Sequence, residues 1–122
     1  MATILVVDDS NLSRKTSRRI LESGGHLVRE VPDGMSALEQ YSFDRPDVVL
    51  LDVTMTDMNG LEVLNQLREM DPSANVVMAT ADVQSSTRDL ALTSGATGFV
   101  TKPLNRDVVL AAVASALEGA AR

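Results

Sequence analysis

The chain has 122 residues, 44% hydrophobic and 23% charged, and 11 basic residues against 17 acidic ones give a net charge of −6. That length supports one domain with a single core, and the acidic balance argues against a nucleic-acid groove binder or an anionic-membrane binder. Having no cysteine excludes disulfides, thiol catalysis and thiolate zinc sites, while a single histidine, His26, supplies a histidine-rich metal site or a Ser–His relay poorly.

In chain order, Ile4–Val7 is a short continuous apolar run, the pattern of a strand buried on both faces, and it ends in two acids, Asp8 and Asp9. Residues 10–23 have helical spacing, with Leu12, Thr16, Ile20 and Leu21 as the expected inner face, and stop at Gly24-Gly25. His26–Val31 reads as a more polar strand nearer a sheet edge. Pro32-Asp33-Gly34 is turn chemistry, and Met35–Tyr41 reads as a helix. Val48–Leu51 is the second strong apolar run and ends in Asp52. Gly60 opens a helix with Leu61, Val63, Leu64 and Leu67 as its apolar positions, ended by Asp71-Pro72. Val76–Ala79 is a strand ending at Thr80, Ser85–Ser94 a weaker helix closed by Gly95, and Gly98–Thr101 a strand ending at Lys102-Pro103. Asn105 is placed to N-cap a last helix, whose Val109, Val113, Ala116 and Leu117 repeat near 3.6 and which is expected to stop before Gly119.

Five βα units in succession predict an α/β fold: a doubly wound sandwich with a five-stranded parallel sheet and helices on both faces. No linker, repeat or low-complexity segment interrupts residues 1–122. No stretch approaches the ~20 apolar residues of a membrane span. The N-terminus lacks the basic region of a secretory signal, so a reducing cytoplasm is the expected setting.

Asp8, Asp9, Asp52, Thr80 and Lys102 all fall at carboxyl ends of predicted strands, where an open parallel sheet forms its ligand crevice. Taken singly, each has an ordinary explanation: a turn and helix cap for Asp8-Asp9, a solvated loop acid for Asp52, a strand residue for Thr80, a surface turn for Lys102-Pro103. Together they are harder to dismiss. Two carboxylates ~4 Å apart repel by ~4 kcal/mol at an effective dielectric near 20. Such a cluster must raise its pKa values, open to water, or hold a cation, and an all-oxygen set suits Mg²⁺ (or Mn²⁺). With an ammonium and a hydroxyl nearby, these are the parts that phosphoryl transfer requires.

The motifs "VVDDS", "VVLLDVTMTDMNGLEVL", "VVMATAD" and "GFVTKPL" resemble, in order and spacing, the receiver domain of two-component response regulators, over essentially the whole chain. With no output domain in sight, the chain is similar to single-domain, chemotaxis-type regulators. The resemblance implies the flavodoxin-like strand order 2-1-3-4-5. It implies that Asp52 takes a phosphoryl group from the phosphohistidine of a sensor histidine kinase or histidine phosphotransfer protein. Asp9 and Asp52 would ligate Mg²⁺ with the backbone carbonyl of Thr54, and Asp8 would act through metal-bound water. Lys102 would pair with phosphoryl oxygens, Thr80 would hydrogen-bond the attached group, and the N–H groups of Thr54 and Ala81 would complete the cradle. Phe99 would occupy the aromatic switch position, on a surface formed by the fifth strand with the fourth and fifth helices that controls a downstream partner. Gly60 would allow the turn into the third helix. Two positions depart from the family pattern: Thr56 replaces a common proline, and Leu104 replaces a common phenylalanine. Thr54 and Asp82 would flank the approach of the hydrolytic water.

Two other functions compete. An aspartyl-phosphate hydrolase would carry an Asp-x-Asp motif after the first strand, which "VVDDS" lacks. A phosphate-independent interaction module would have no need to keep the full set of acids, Thr80 and Lys102. Neither a Walker-type loop nor G-x-G-x-x-G follows the first strand, so a nucleotide is a poor candidate ligand.

Overall fold

A computed structural model describes residues 2–53, 55, 57–81, 89–90 and 92–120. Five strands, β1 (Thr3–Val7), β2 (Leu27–Val31), β3 (Val48–Asp52), β4 (Val76–Thr80) and β5 (Gly98–Thr101), alternate with helices α1 (Asn11–Ser23), α2 (Gly34–Phe43), α3 (Gly60–Met70) and α4 (Arg106–Ala120). The helix expected over Ser85–Ser94 lies mostly outside the described residues; Asp89, Leu90, Leu92 and Thr93 are helical. The strands form one parallel sheet in the order β2-β1-β3-β4-β5. Among the described residues no helix is long and apolar enough to cross a membrane.

The apolar runs are continuous because the central strands are buried on both faces. Leu5, Val7, Val49, Leu51, Val76 and Met78 pack on one side against Ala37 and Tyr41 of α2 and Val63, Leu64 and Leu67 of α3. Their alternate neighbours Ile4, Val6, Val48, Leu50, Val77 and Ala79 pack on the other side against Leu21 of α1 and Val109, Val113 and Ala116 of α4. Each fully buried aliphatic side chain contributes about 1.5–3 kcal/mol, and the two layers hold the strand ends in fixed positions. Edge strand β2 is more polar than the central strands, with Arg29 and Glu30 half-buried.

Two expectations are corrected. Leu12 is not on the inner face of α1 but 75% exposed; that face is centred on Ser17 and Leu21, with Arg14 turned inward beside them. The last helix does not stop before Gly119 but runs through it to Ala120. A β-carbon at Gly119 would meet nothing within 4 Å, so the glycine answers no steric demand there.

Helix ends follow cap chemistry. The Ser10 hydroxyl accepts from Ser13 N–H at 3.2 Å to open α1, and Asp33 accepts from Ser36 N–H at 2.7 Å to open α2. Asn105 accepts from the N–H groups of Asp107 and Val108, as expected for the N-cap of α4.

Candidate functional site

Strand ends bring the acids together. Asp8 sits one residue beyond β1, and Asp52 is the last residue of β3. One carboxylate oxygen from each of Asp8, Asp9 and Asp52 can be chosen so that all three lie within 4.8 Å of one another. Asp8 and Asp52 are buried and Asp9 is exposed. Beyond β5, the Lys102 N–H donates to the Thr80 carbonyl at 2.7 Å, which carries the last strand past its neighbour and aims the ammonium inward. Lys102 Nζ lies 2.9 Å from Asp8 Oδ2 and 3.5 Å from Asp52 Oδ2. The Lys102–Pro103 peptide is cis.

Asp8 is held in detail. Burial pushes its carboxyl up, but hydrogen bonds from the Ser13 side chain, the Ser10 N–H and Lys102 more than offset this and leave it below the usual carboxylate range. The Ser10 N–H donates to Asp8 Oδ1 at 2.9 Å. Asp8 is therefore not the helix cap of the local reading; Ser10 takes that role and Asp8 braces the turn before it.

Gly60 matters through space rather than through backbone angle. Its N–H donates to the Val53 carbonyl at 2.7 Å. A β-carbon there would press on the Asp52 carbonyl oxygen and come within 2.6 Å of Val53 Cα, so the start of α3 packs directly on the backbone of the central acid.

Thr80 ends β4 fully buried, and Ala81 follows it exposed. Phe99, in β5, is half-buried against the core layer shared with α2 and α3. Leu104 packs on the opposite layer, so an apolar side chain is kept where the family pattern has phenylalanine. Thr54, Thr56 and Asp82 lie outside the described residues.

Three residues near the site were not singled out from the sequence. Asp57 accepts from Gly34 N–H at 3.0 Å and Met35 N–H at 3.3 Å, pinning the loop after β3 to the start of α2. Burial works against its ionised form, but these and neighbouring backbone donors hold its carboxyl low. Arg14 donates to the Asp8 carbonyl oxygen at 2.7 Å, and Glu30 of β2 lies 3.5 Å from Arg14 Nε. Asp57 and Glu30 look like ordinary surface acids in sequence, and their partners lie 23 and 16 residues away; only the assembled fold pairs them.

A doubly wound α/β sandwich with three carboxylates and an ammonium at the carboxyl edge of its sheet is a flavodoxin-like protein with an acidic pocket compatible with a divalent cation. The chain belongs to the response regulator receiver domain family, whose model matches residues 4–114. It is 38% identical to the chemotaxis protein CheY of Listeria monocytogenes over 117 residues, 95% of this chain and 98% of that protein. It is 33% identical to CheY of Halobacterium salinarum over 114 residues, 93% and 95% of the two chains. The solved structure of Vibrio cholerae chemotaxis protein CheY4 matches with a TM-score of 0.90 at 30% identity, covering 96% of this chain and 99% of that one. Membership places the chain among the phosphorylatable switches of two-component signalling.

Proposed function

We propose that this chain is a receiver that accepts a phosphoryl group on Asp52 and thereby changes its affinity for a partner protein. The observation that carries the reading is the cluster itself: three acids with oxygens within 4.8 Å, and one ammonium 2.9 Å and 3.5 Å from two of them. Three carboxylates this close repel one another in a partly buried site, which favours a divalent cation between them. When bound, Mg²⁺ (or Mn²⁺) supplies charge neutralisation for the incoming phosphoryl oxygens.

The roles divide by what each side chain already does. Asp8 Oδ1 accepts from Ser10 and Oδ2 faces Lys102, so both oxygens are engaged. By resemblance to the family, exposed Asp9 and buried Asp52 would hold the metal directly, with the Thr54 carbonyl, and Asp8 would act through a bound water. Asp52 is held at the end of a fully buried strand, and phosphoryl transfer through a loose transition state needs position more than nucleophilicity. Lys102 balances charge on the transferring group. Thr80 donates its hydroxyl to the attached phosphoryl group, and the N–H groups of Thr54 and Ala81 complete the cradle. Beside the site, an open groove of about 230 Å³ is lined by Leu12, Ser13, Lys102, Pro103 and Leu104. The exposed Leu12 side chain there offers an apolar foothold to a phosphohistidine-bearing kinase or phosphotransfer protein. Phosphorylation adds strong acceptor oxygens at Asp52. The response of Thr80, Lys102 and Phe99 biases the surface of β5 and its flanking helices, and the chain acts as a switch rather than a turnover enzyme.

The test is exposure to a small phosphodonor with Mg²⁺, read by intact mass. One phosphate is expected on the wild type, none on Asp52→Asn, and none after chelation of the metal. Phosphate on Asp52→Asn, or none on the wild type, refutes the reading.

A further inference from the structure

We infer that Arg14 is a positioning residue that orients the Asp8–Asp9 peptide for cation binding, an inference that rests on the metal reading above.

Arg14 points to the inner side of α1, where its side chain is only 14% exposed. Its guanidinium makes three separate contacts. Nη1 donates to the Asp8 carbonyl oxygen at 2.7 Å, Nη2 donates to Asn11 Oδ1 at 2.9 Å, and Nε lies 3.5 Å from Glu30 Oε1. A planar fork with donors in fixed directions is suited to holding three acceptors at once, and a lysine is not.

The contacted carbonyl belongs to the peptide that joins the two acids. On one side of Asp8, the sheet fixes the chain: Asp8 N–H donates to the Val31 carbonyl at 3.3 Å. On the other side, the β1 ladder has ended and α1 has not begun. The guanidinium takes over there and holds the peptide plane from which Asp9 follows. Glu30 in turn fixes Arg14. That carboxylate is shared with Arg18, 2.7 Å away, and Lys15, 3.4 Å away, which tie it to the same helix.

Charge and orientation predict opposite signs. A guanidinium close to a cation site repels the cation, so removing it for charge alone tightens binding. Removing an orienting group loosens binding, and partners of metal ligands typically cost 10–100-fold when lost.

The experiment titrates Mg²⁺ into the full chain by calorimetry, without phosphodonor, and follows thermal unfolding of each variant. Arg14→Met is expected to weaken Mg²⁺ binding by about tenfold, and Arg14→Lys by less. Arg18→Met removes a Glu30 partner of the same charge that does not touch Asp8, and its Mg²⁺ affinity is expected to stay at or slightly above the wild-type value. The inference is overturned if Arg14→Met binds Mg²⁺ as tightly as the wild type or more tightly, or if Arg18→Met weakens binding equally. Should Arg14→Met not fold, Arg14→Lys decides on the same criterion. A wild type that binds no Mg²⁺ brings down the metal reading and this inference with it, whereas wild-type binding untouched by Arg14 variants brings down the inference alone.

Discussion

The sheet carries a buried acid at each end, in opposite kinds of surroundings. At the carboxyl end, Asp8, Asp9 and Asp52 crowd together, with the Lys102 ammonium beside Asp8 and Asp52. At the amino end, Asp71 closes α3 with its needs met: Tyr41 Oη donates to it at 2.6 Å, Ser73 donates through both N–H and hydroxyl, and Arg45 lies 3.4 Å away. Arg45 also stacks over the Tyr41 ring at 5.9 Å. One acid surrounded by donors is a fastening between α2 and α3. Three acids crowded beside one ammonium form a site where carboxylate repels carboxylate. The comparison teaches that burial alone does not mark a functional carboxylate; the crowding of acids onto one another does.

The largest expected effect comes from removing the Lys102 ammonium. Lys102→Met should slow phosphorylation by a small donor by about 10²–10³-fold, the usual cost of losing a charge-stabilising donor. Mg²⁺ binding should persist, because an ammonium competes with a metal for the same oxygens. A phosphorylation rate within a few-fold of wild type would remove Lys102 from the chemistry.

At the other end the effect should be on stability only. Asp71→Ala leaves the buried Tyr41 hydroxyl without its acceptor and should cost about 1–3 kcal/mol, with Mg²⁺ affinity and phosphorylation rate unchanged. The pH dependence checks the same point. Hydrogen bonds from Tyr41, then Ser73, hold the Asp71 carboxyl below the usual range against its burial. A carboxyl depressed in the folded state gives stability that is full above its unfolded value of about 4 and is lost as pH falls through the folded value. Unfolding temperature should therefore drop below about pH 4, and less steeply in Asp71→Ala. Asp8, Asp57 and Glu30 are also held low, so the slope should shrink rather than vanish. An unchanged acid limb would deny Asp71 this role.

These two ends differed in how much of them could be read from sequence. Strand runs such as Val48–Leu51 announce themselves because both faces are buried, and their terminal residues carry Asp8, Asp52, Thr80 and Lys102 to one edge by topology alone. Helix faces were less legible. In α1, apolar spacing pointed to Leu12, yet the inner face holds Arg14, because a polar contact with the Asp8 carbonyl competes there with hydrophobic burial. The pairings of Asp57 and Asp71 are illegible for a similar reason, although Asp71 does end α3 as expected: their partners, at Gly34 and Tyr41, lie 23 and 30 residues away, and a single acid carries no periodic signal. Gly119 misled because a helix end tolerates glycine as readily as it ends on one.

The smallest effect is the one with the most diagnostic sign. Asp9 is exposed and sits close to two buried acids. Asp9→Asn removes repulsion, so without metal the variant should be more stable than the wild type, by up to about 1 kcal/mol given solvent screening. Added Mg²⁺ should then raise its unfolding temperature far less than it raises that of the wild type, since the stabilisation follows from binding. Salt separates this from a packing effect. Repulsion between partly exposed charges weakens with ionic strength, so the gain should shrink between low salt and about 1 M, while the loss in Asp71→Ala, which comes from an unmet buried hydrogen bond, should not. A variant that is destabilised without metal at every salt concentration would show that Asp9 holds the fold together as Asp71 does, and the contrast between the two ends would fail.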